Sequence, residues 1–347
     1  MQFICIINLN VFSPPQCHIN IHHILEYNMN FFENTPIHEN SIKSYNSKLN
    51  EWITFMPTAY QSIVCIIIFP DISMKALESN LKINTNTNRH LYIVAIMSYI
   101  KHNKHLLIHL TPDQYSVIRI KWIDINTQNE APIIQRRLEN KPTENQLKKG
   151  GFNITFSQII TKRDELPLGS IERLLLSIYT MIPPVRADYF ATEIIHGDNP
   201  PTQKNYIRIH SPDRVECILT DFKTAKTFKK ITNLFPPQLI SELNASLTKH
   251  PRSYLFTNIK GQPYTRNSFT VWASRHLSKL FETEFTLVFF RHSFITHYIS
   301  QNVTDAQIKE ASEKMGHSPE MFRAYRWVKD GNTGEIPLTE EDSDEKE

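Results

Sequence analysis

The 347-residue sequence predicts a mostly helical α+β fold in two parts: an all-helical unit, then a unit with a small antiparallel sheet followed by helices. Three observations carry this expectation. Apolar residues recur at helical spacing in several stretches before residue 135. Strand-like runs, YFATEII, NYIRIH and VECILTDFK, cluster after the helical stretch SIERLLLSIYTMI. Beyond Pro236-Pro237 the helical period returns and persists to PEMFRAYRWV.

Residues 1–30 show no clear period and are assigned to an N-terminal extension, with Met29 as an alternative start. In SIKSYNSKLNEWITFM, Ile42, Tyr45, Leu49, Trp52, Ile53 and Met56 fall on one helical face. MKALESNL continues the pattern. NTNRHLYIVAIMSYIKHN opens on candidate caps, Asn86 and Thr87, and carries Leu91, Val94, Ile96 and Tyr99. These stretches define a helical domain over 31–138. The polar run ENKPTENQLKKGG, with Pro142, Gly150 and Gly151, reads as the start of a linker region over 139–164.

The second domain is expected over 165–334. SIERLLLSIYTMI is an amphipathic helix stopped by Pro183-Pro184. VECILTDFK and TFKKITNLF read as a hairpin closed by a short turn. QLISELNASLTKH, SFTVWASRHLSKLF, TLVFFRHSFITHYI, DAQIKEASEKM and PEMFRAYRWV read as helices, and residues 335–347 as an acidic tail.

Hydrophobic residues at 40% and aromatics at 11% are enough for packed cores and exclude wholesale disorder. The formal net charge of +3 hides an asymmetry. Residues 201–280 hold 13 Lys and Arg against 4 Asp and Glu, while 335–347 hold 7 acids and one Lys. A basic stretch beside an acidic tail is a pattern of nucleic-acid-binding proteins, although a solvated lysine-rich face has the same composition. Cys5, Cys17, Cys65 and Cys217 form no CxxC pair and no zinc spacing, which reads as an intracellular setting with free thiols. No apolar run reaches the roughly 20 residues of a membrane span, and MQFICIINLNVF lacks the basic leader of a signal peptide.

Five polar residues carry the chemistry: Arg186 in PPVRADY, Lys223 in DFKTAK, Arg291 in FFRHSFITH, His317 in MGHS and Tyr325 in RAYRW. Singly, each has an ordinary reading: surface cations, a cap followed by a polar residue, a core tyrosine. As a set they suit attack on a phosphodiester. Two guanidiniums clamp the non-bridging oxygens bidentately and keep their protons. A lysine protonates the leaving 5′ oxygen, and a histidine hydrogen-bonds the phosphate or assists the tyrosine. The tyrosine hydroxyl is the nucleophile, and its phosphodiester stores the bond energy for rejoining. The scheme needs neither metal nor cofactor.

The order Arg, Lys, Arg, His, Tyr resembles the catalytic set of the tyrosine recombinase and phage integrase family. FFRHSFITH is similar to the family's second arginine box. MGHS, with a tyrosine eight residues after the histidine, is similar to its Gly-His and nucleophile segment. PPVRADY resembles the first arginine box in the form seen in Crypton-type elements and recombinases of large DNA viruses and virophages. The resemblance covers about residues 165–328 and implies a catalytic domain there, with 31–138 as a core-binding domain and the two clamping duplex DNA. It implies a site-specific recombinase that integrates or excises a viral or mobile element through a 3′-phosphotyrosyl intermediate, with four protomers on two DNA sites. A host nucleus or cytoplasm would be its location if viral. A type IB topoisomerase-like or resolvase enzyme, or an inactive DNA-binding relative, are the alternatives. No membrane or small-molecule substrate is implied.

Two positions depart from the family pattern. Val288 stands three residues before Arg291, where the family often has His or Lys. Asp188 follows Arg186 by two residues rather than three, and either orients it or holds its loop. Lys223 is preferred over Lys226 as general acid for its Lys-Thr context. His292 is expected to buttress the helix that presents Arg291, and His297 and Tyr298 to serve packing.

Overall fold

The computed structural model describes residues 30–32, 35–37, 39–83, 85–103 and 110–327. The extension before residue 30 and the acidic tail lie outside this set. The chain divides into two compact units between Gln135 and Arg136.

The first unit is all-helical: α1 (Glu39–Phe55), α2 (Ile63–Ile68), α3 (Pro70–Glu78), α4 (Asn86–His102) and α5 (Pro112–Leu138). Thr85, not Asn86 or Thr87, caps α4, its hydroxyl accepting from the Asn88 amide at 3.2 Å. The periodic stretches became α1, α3 and α4, whereas α2 and α5 were not foreseen. Trp52 and Trp122 meet edge to face at 5.7 Å in the core. Each indole N–H donates to a backbone carbonyl, of Ser73 at 3.1 Å and of Ile67 at 3.0 Å, so neither buried ring leaves an unpaired donor. No described helix is long and apolar enough to cross a membrane.

The second unit begins with α6 (Glu144–Lys148), a 3₁₀ turn over Gly150–Asn153 and α7 (Phe156–Glu165). The stretch read as a linker is therefore folded into this unit: Phe156 and Ile159 are buried in its core. Gly151 is there for closeness, not looseness. A Cβ on it would stand 2.7 Å from the Glu284 carbonyl oxygen and 3.1 Å from the Phe285 and Phe289 rings. Next comes α8 (Ile171–Met181), capped by Ser170 and buried along Leu174, Leu175, Leu176 and Ile178.

The sheet is mixed, which corrects the antiparallel expectation. Its order is β1 (Glu193–His196), β2 (Asn205–Ser211), β3 (Arg214–Leu219) and β4 (Ile231–Leu234), with β1 parallel to β2 and the other pairs antiparallel. The loop between β1 and β2 returns the chain to the start of β1, where the Glu193 carboxylate accepts from the Thr202 amide (2.7 Å), the Thr202 hydroxyl (2.9 Å) and the Gln203 amide (3.0 Å). These bonds hold the returning chain beside the first residue of β1, and β2 runs alongside it in the same direction. The link from β3 to β4 is not a short turn but a loop holding one helical turn, α9 (Ala225–Phe228).

Four longer helices and a short one complete the unit: α10 (Pro237–Lys249), α11 (Arg266–Leu280), α12 (Leu287–Ile299), α13 (Asp305–Lys314) and α14 (Pro319–Ala324). Arg173 on α8 and Glu242 on α10 form an ion pair at 2.8 Å, shielded from water on the carboxylate side. A small apolar cluster of Ile295, Ile308, Ala311, Met315 and Phe322 holds α12, α13 and α14 together beneath the end of α14. Full burial of a ring such as Phe322 stabilises by about 2 kcal/mol.

Candidate active site

Arg291 lies on α12 and is 1% exposed. Its guanidinium donates to the Pro184 carbonyl at 2.9 Å and to the Met315 carbonyl at 3.4 Å. Burial, followed by the neighbouring Arg186 charge, pushes its pKa down to about 10, still charged at neutral pH. The proline pair that ends α8 thus also supplies an acceptor that holds this arginine.

Arg186 sits on the loop after that pair. The Tyr179 hydroxyl on α8 donates to its carbonyl at 2.6 Å, and its amide donates to the Asp188 carboxylate at 3.1 Å. Asp188 therefore holds the loop through the backbone, and its charge is taken by Arg266 on α11. Among the described residues neither Arg186 nor Arg291 is ion-paired with a carboxylate.

His317 arrives from the end of α13. Gly316 adopts φ +65, the Gly316 amide bonds to the Glu313 carbonyl at 3.0 Å, and the His317 amide bonds to the Ser312 carbonyl at 2.9 Å. This is a glycine-terminated helix end. The cap reading of the Gly-His pair is thus correct, and the same turn aims His317 inward. Its Nε2 lies 3.0 Å from Arg186 Nη2 and within hydrogen-bonding distance of Arg291 Nη2. A guanidinium only donates, so Nε2 accepts and the proton sits on Nδ1. Burial, then the two arginines, hold His317 far below the ordinary imidazole range, and it is neutral. Its Nδ1 and Arg291 Nε are buried donors without a partner among the described residues.

Tyr325 lies one residue past the end of α14, not inside a longer helix. Tertiary partners take the backbone groups that would have continued the helix. His292 Nδ1 donates to the Tyr325 carbonyl at 2.7 Å, and the Trp327 amide donates to the Thr296 hydroxyl at 3.0 Å. His292 is stacked between Trp327, at 3.9 Å, and Tyr325, at 4.6 Å. Its Nε2 also lies 3.3 Å from Gln146 Nε2 on α6, so it ties the helix that presents Arg291 to α6 as well as to the tyrosine segment. Half-buried, the Tyr325 ring stands 4.9 Å from the His317 ring and 5.5 Å from the Arg291 guanidinium carbon.

The structure thus brings Arg186, Arg291, His317 and Tyr325 together. Lys223, on the adjoining loop, and Lys226, on α9, are exposed and make no side-chain hydrogen bond or ion pair among the described residues. The Lys223 loop is docked on the site through the Thr224 hydroxyl, which donates to the Gly316 carbonyl at 2.8 Å. Val288 is 45% exposed, one turn before Arg291. His297 stacks on Phe156 at 5.1 Å and Tyr298 on Phe294 at 5.5 Å, as packing residues do. Sequence reasoning missed Tyr179, Asn205 and Arg266, all bonded to the loops that carry the site. The partners of Asn205 and Arg266 are remote in the chain, that of Tyr179 is seven residues on across the Pro183-Pro184 turn, and no local signal marks any of the three.

No family model matches the chain, and no curated protein does. Among solved structures it is similar to the XerA recombinase, at 12% identity and a TM-score of 0.38, over 85% of this chain and 89% of that one. It is also similar to the XerH site-specific recombinase bound to difH substrate in a pre-cleavage complex, at 15% identity and a TM-score of 0.38, over 84% of this chain and 93% of that one. A likeness of that size decides neither fold nor function, which rest on the geometry of the chain itself.

Proposed function

We propose that this chain is a DNA strand-transfer enzyme of the tyrosine recombinase kind, breaking and rejoining strands through a 3′-phosphotyrosyl bond to Tyr325. The observation that carries the reading is the pair of guanidiniums, Arg186 and Arg291, meeting at His317 beside the Tyr325 ring with no carboxylate among the described residues ion-paired to them. Two adjacent cations repel, and a buried pair persists at a cost that an anion removes. The unpartnered Arg291 Nε–H and His317 Nδ1–H add two donors for the same anion. A tyrosine beside such a site suits phosphoryl transfer.

In the reaction the Tyr325 oxygen attacks phosphorus and loses its proton to solvent. The bond from phosphorus to the 5′ oxygen breaks, and Lys223 gives that oxygen a proton. Reversal by another strand's 5′ hydroxyl rejoins the DNA. The partner is double-stranded DNA, and strand exchange places four protomers on two sites inside a cell. Integration or excision of a viral or mobile element is the role that fits the PPVRADY motif form.

The test is a duplex nicked just beyond the scissile phosphate, so that the freed 5′ fragment diffuses away. A protein–DNA adduct that survives boiling in detergent is expected, in EDTA as well, because the arginines and lysine supply the charge. DNA binding without any adduct would leave the inactive DNA-binding reading in its place.

A further inference from the structure

We infer that Asn205 and Arg266 form a clasp that positions Lys223 for the strand-transfer step, an inference that rests on the function proposed above. Asn205 is the first residue of β2 and is 3% exposed. Its side-chain nitrogen donates to the Asp188 carbonyl at 2.8 Å and to the Asp221 carbonyl at 3.0 Å. Its side-chain oxygen accepts from the Thr220 amide at 3.0 Å and the Asp221 amide at 2.8 Å. Both donors and both acceptor lone pairs of the amide are thereby used, and all four bonds go to backbone.

Arg266, at the first position of α11, spans the same two loops from outside. Its guanidinium pairs with the buried Asp188 carboxylate. It also donates to the Asp221 carbonyl at 3.2 Å and lies 3.8 Å from the Asp221 carboxylate. Its carbon sits 4.7 Å over the Phe190 ring. Asp188 is two residues from Arg186, and Asp221 is two residues from Lys223. Every clasp contact thus joins the loop of the phosphate-clamping arginine to the loop of the acid lysine.

The two loops are not anchored equally. The Arg186 loop has its own ties, through Tyr179 on α8 and through the Pro184 carbonyl to Arg291 on α12. The Lys223 loop is anchored next to the lysine by Phe222, which is buried in the core, and by Thr224 against Gly316. Ahead of these it is held by the Thr220 hydroxyl's bond to the Lys204 carbonyl and by the clasp, which alone among these ties reaches the Arg186 loop. Loosening the clasp therefore frees residues 220–221, on one side of Lys223, while Arg186 keeps its own ties. The lysine side chain is exposed and has no partner among the described residues, so its backbone sets where it points.

The experiment uses the full chain and two measurements. Arg266 is 39% exposed at its side chain, so Arg266→Ala is expected to fold. Cleavage of the nicked duplex by Arg266→Ala is expected to fall on the order of 100-fold, the effect of a misplaced catalytic group. Arg266→Lys, which keeps the charge but not the fork, is expected to fall between. The discriminating substrate carries sulfur in place of the scissile 5′ oxygen. A thiol ionises at roughly 8.5, so it departs without a proton from lysine. On it Arg266→Ala should recover to within a few-fold of the unaltered protein, as should Lys223→Ala. An unchanged rate on ordinary DNA, or an equal loss on both substrates, would overturn the clasp. Amide hydrogen exchange decides the geometry without any activity. Arg266→Ala should raise exchange more over 220–224 than over 184–188, where Asp188 loses its partner but Tyr179 and Arg291 still hold the backbone, and equal exchange in both proteins overturns the inference. An unaltered protein that forms no adduct, or a Lys223→Ala protein that sulfur does not rescue, instead defeats the function proposed above.

Discussion

Arg186 and His317 are 131 residues apart in the chain, yet their side chains meet at 3.0 Å, with Arg291 on the same imidazole nitrogen. The contact fixes the imidazole as a neutral acceptor, and among the described residues neither guanidinium is ion-paired with a carboxylate. An incoming phosphate would exchange a repulsive pair for a clamped anion.

Removing either arginine should slow cleavage far more than it weakens DNA binding. Arg186→Ala and Arg291→Ala are each expected to lose on the order of 10²–10³ in adduct formation rate. Arg291→Lys should resemble the alanine variant, since lysine cannot reach the Pro184 carbonyl and the site together. Single-turnover rates at saturating protein decide the matter. A loss confined to affinity would move the arginines out of the chemistry.

Tyr325→Phe removes one oxygen and keeps a ring that packs on His292 and His317. Its melting temperature should stay within a few degrees of the parent, and the adduct should vanish, because no other group supplies the attacking oxygen. Tyr298→Phe and Tyr189→Phe are the controls and should retain the adduct. An adduct persisting in the Tyr325→Phe protein would refute the assignment.

Gly316→Ala should cost about 1–3 kcal/mol, because its φ of +65 is a left-handed conformation. The added Cβ would also stand 3.1–3.2 Å from Ile231, Phe222 and Thr224. Adduct formation should fall too, since the same turn aims His317. Urea denaturation reports the first effect and the nicked duplex the second. A fully active, equally stable variant would show that the turn has slack.

Acid should weaken the brace behind Tyr325. Burial pushes the His292 pKa down to about 4, from an ordinary value near 6.5. The folded state therefore resists protonation while the unfolded chain accepts it. Stability from this residue is complete above pH ~6.5, declines as pH falls, and levels off below the folded value of about 4. The full decline is on the order of 3 kcal/mol. His292→Gln should be less stable at pH 7 and should lose less between pH 7 and 4 than the parent, measured by denaturant midpoints. Parallel curves for the two proteins would contradict a buried neutral imidazole.

Much of the site was legible in the chain because its chemistry needs particular residue types in a particular order. Arg186, Arg291, His317 and Tyr325 were singled out before any fold was known, and four helical periods in the second unit marked the elements that carry them. Tyr325 also has the spacing of a core residue, and the structure puts it half-buried at the edge of an apolar cluster, so packing accounts for part of its placement. The glycines misled. Gly150 and Gly151 suggested a linker, whereas Gly151 is small so that Glu284 and Phe285 can approach.

By itself the sequence determined the helical periods, the mostly helical α+β class and the order of the polar residues. These depend on neighbours a few positions apart. Only the tertiary structure decided the parallel start of the sheet, the end of α14 at Tyr325, and the clasp of Asn205 and Arg266 between two loops. Each of these rests on hydrogen bonds to partners remote in the chain. The Glu193 carboxylate holds the returning chain beside the start of β1, and the His292 imidazole takes the Tyr325 carbonyl. Local spacing carries no trace of such partners, because they become neighbours only when the chain has folded.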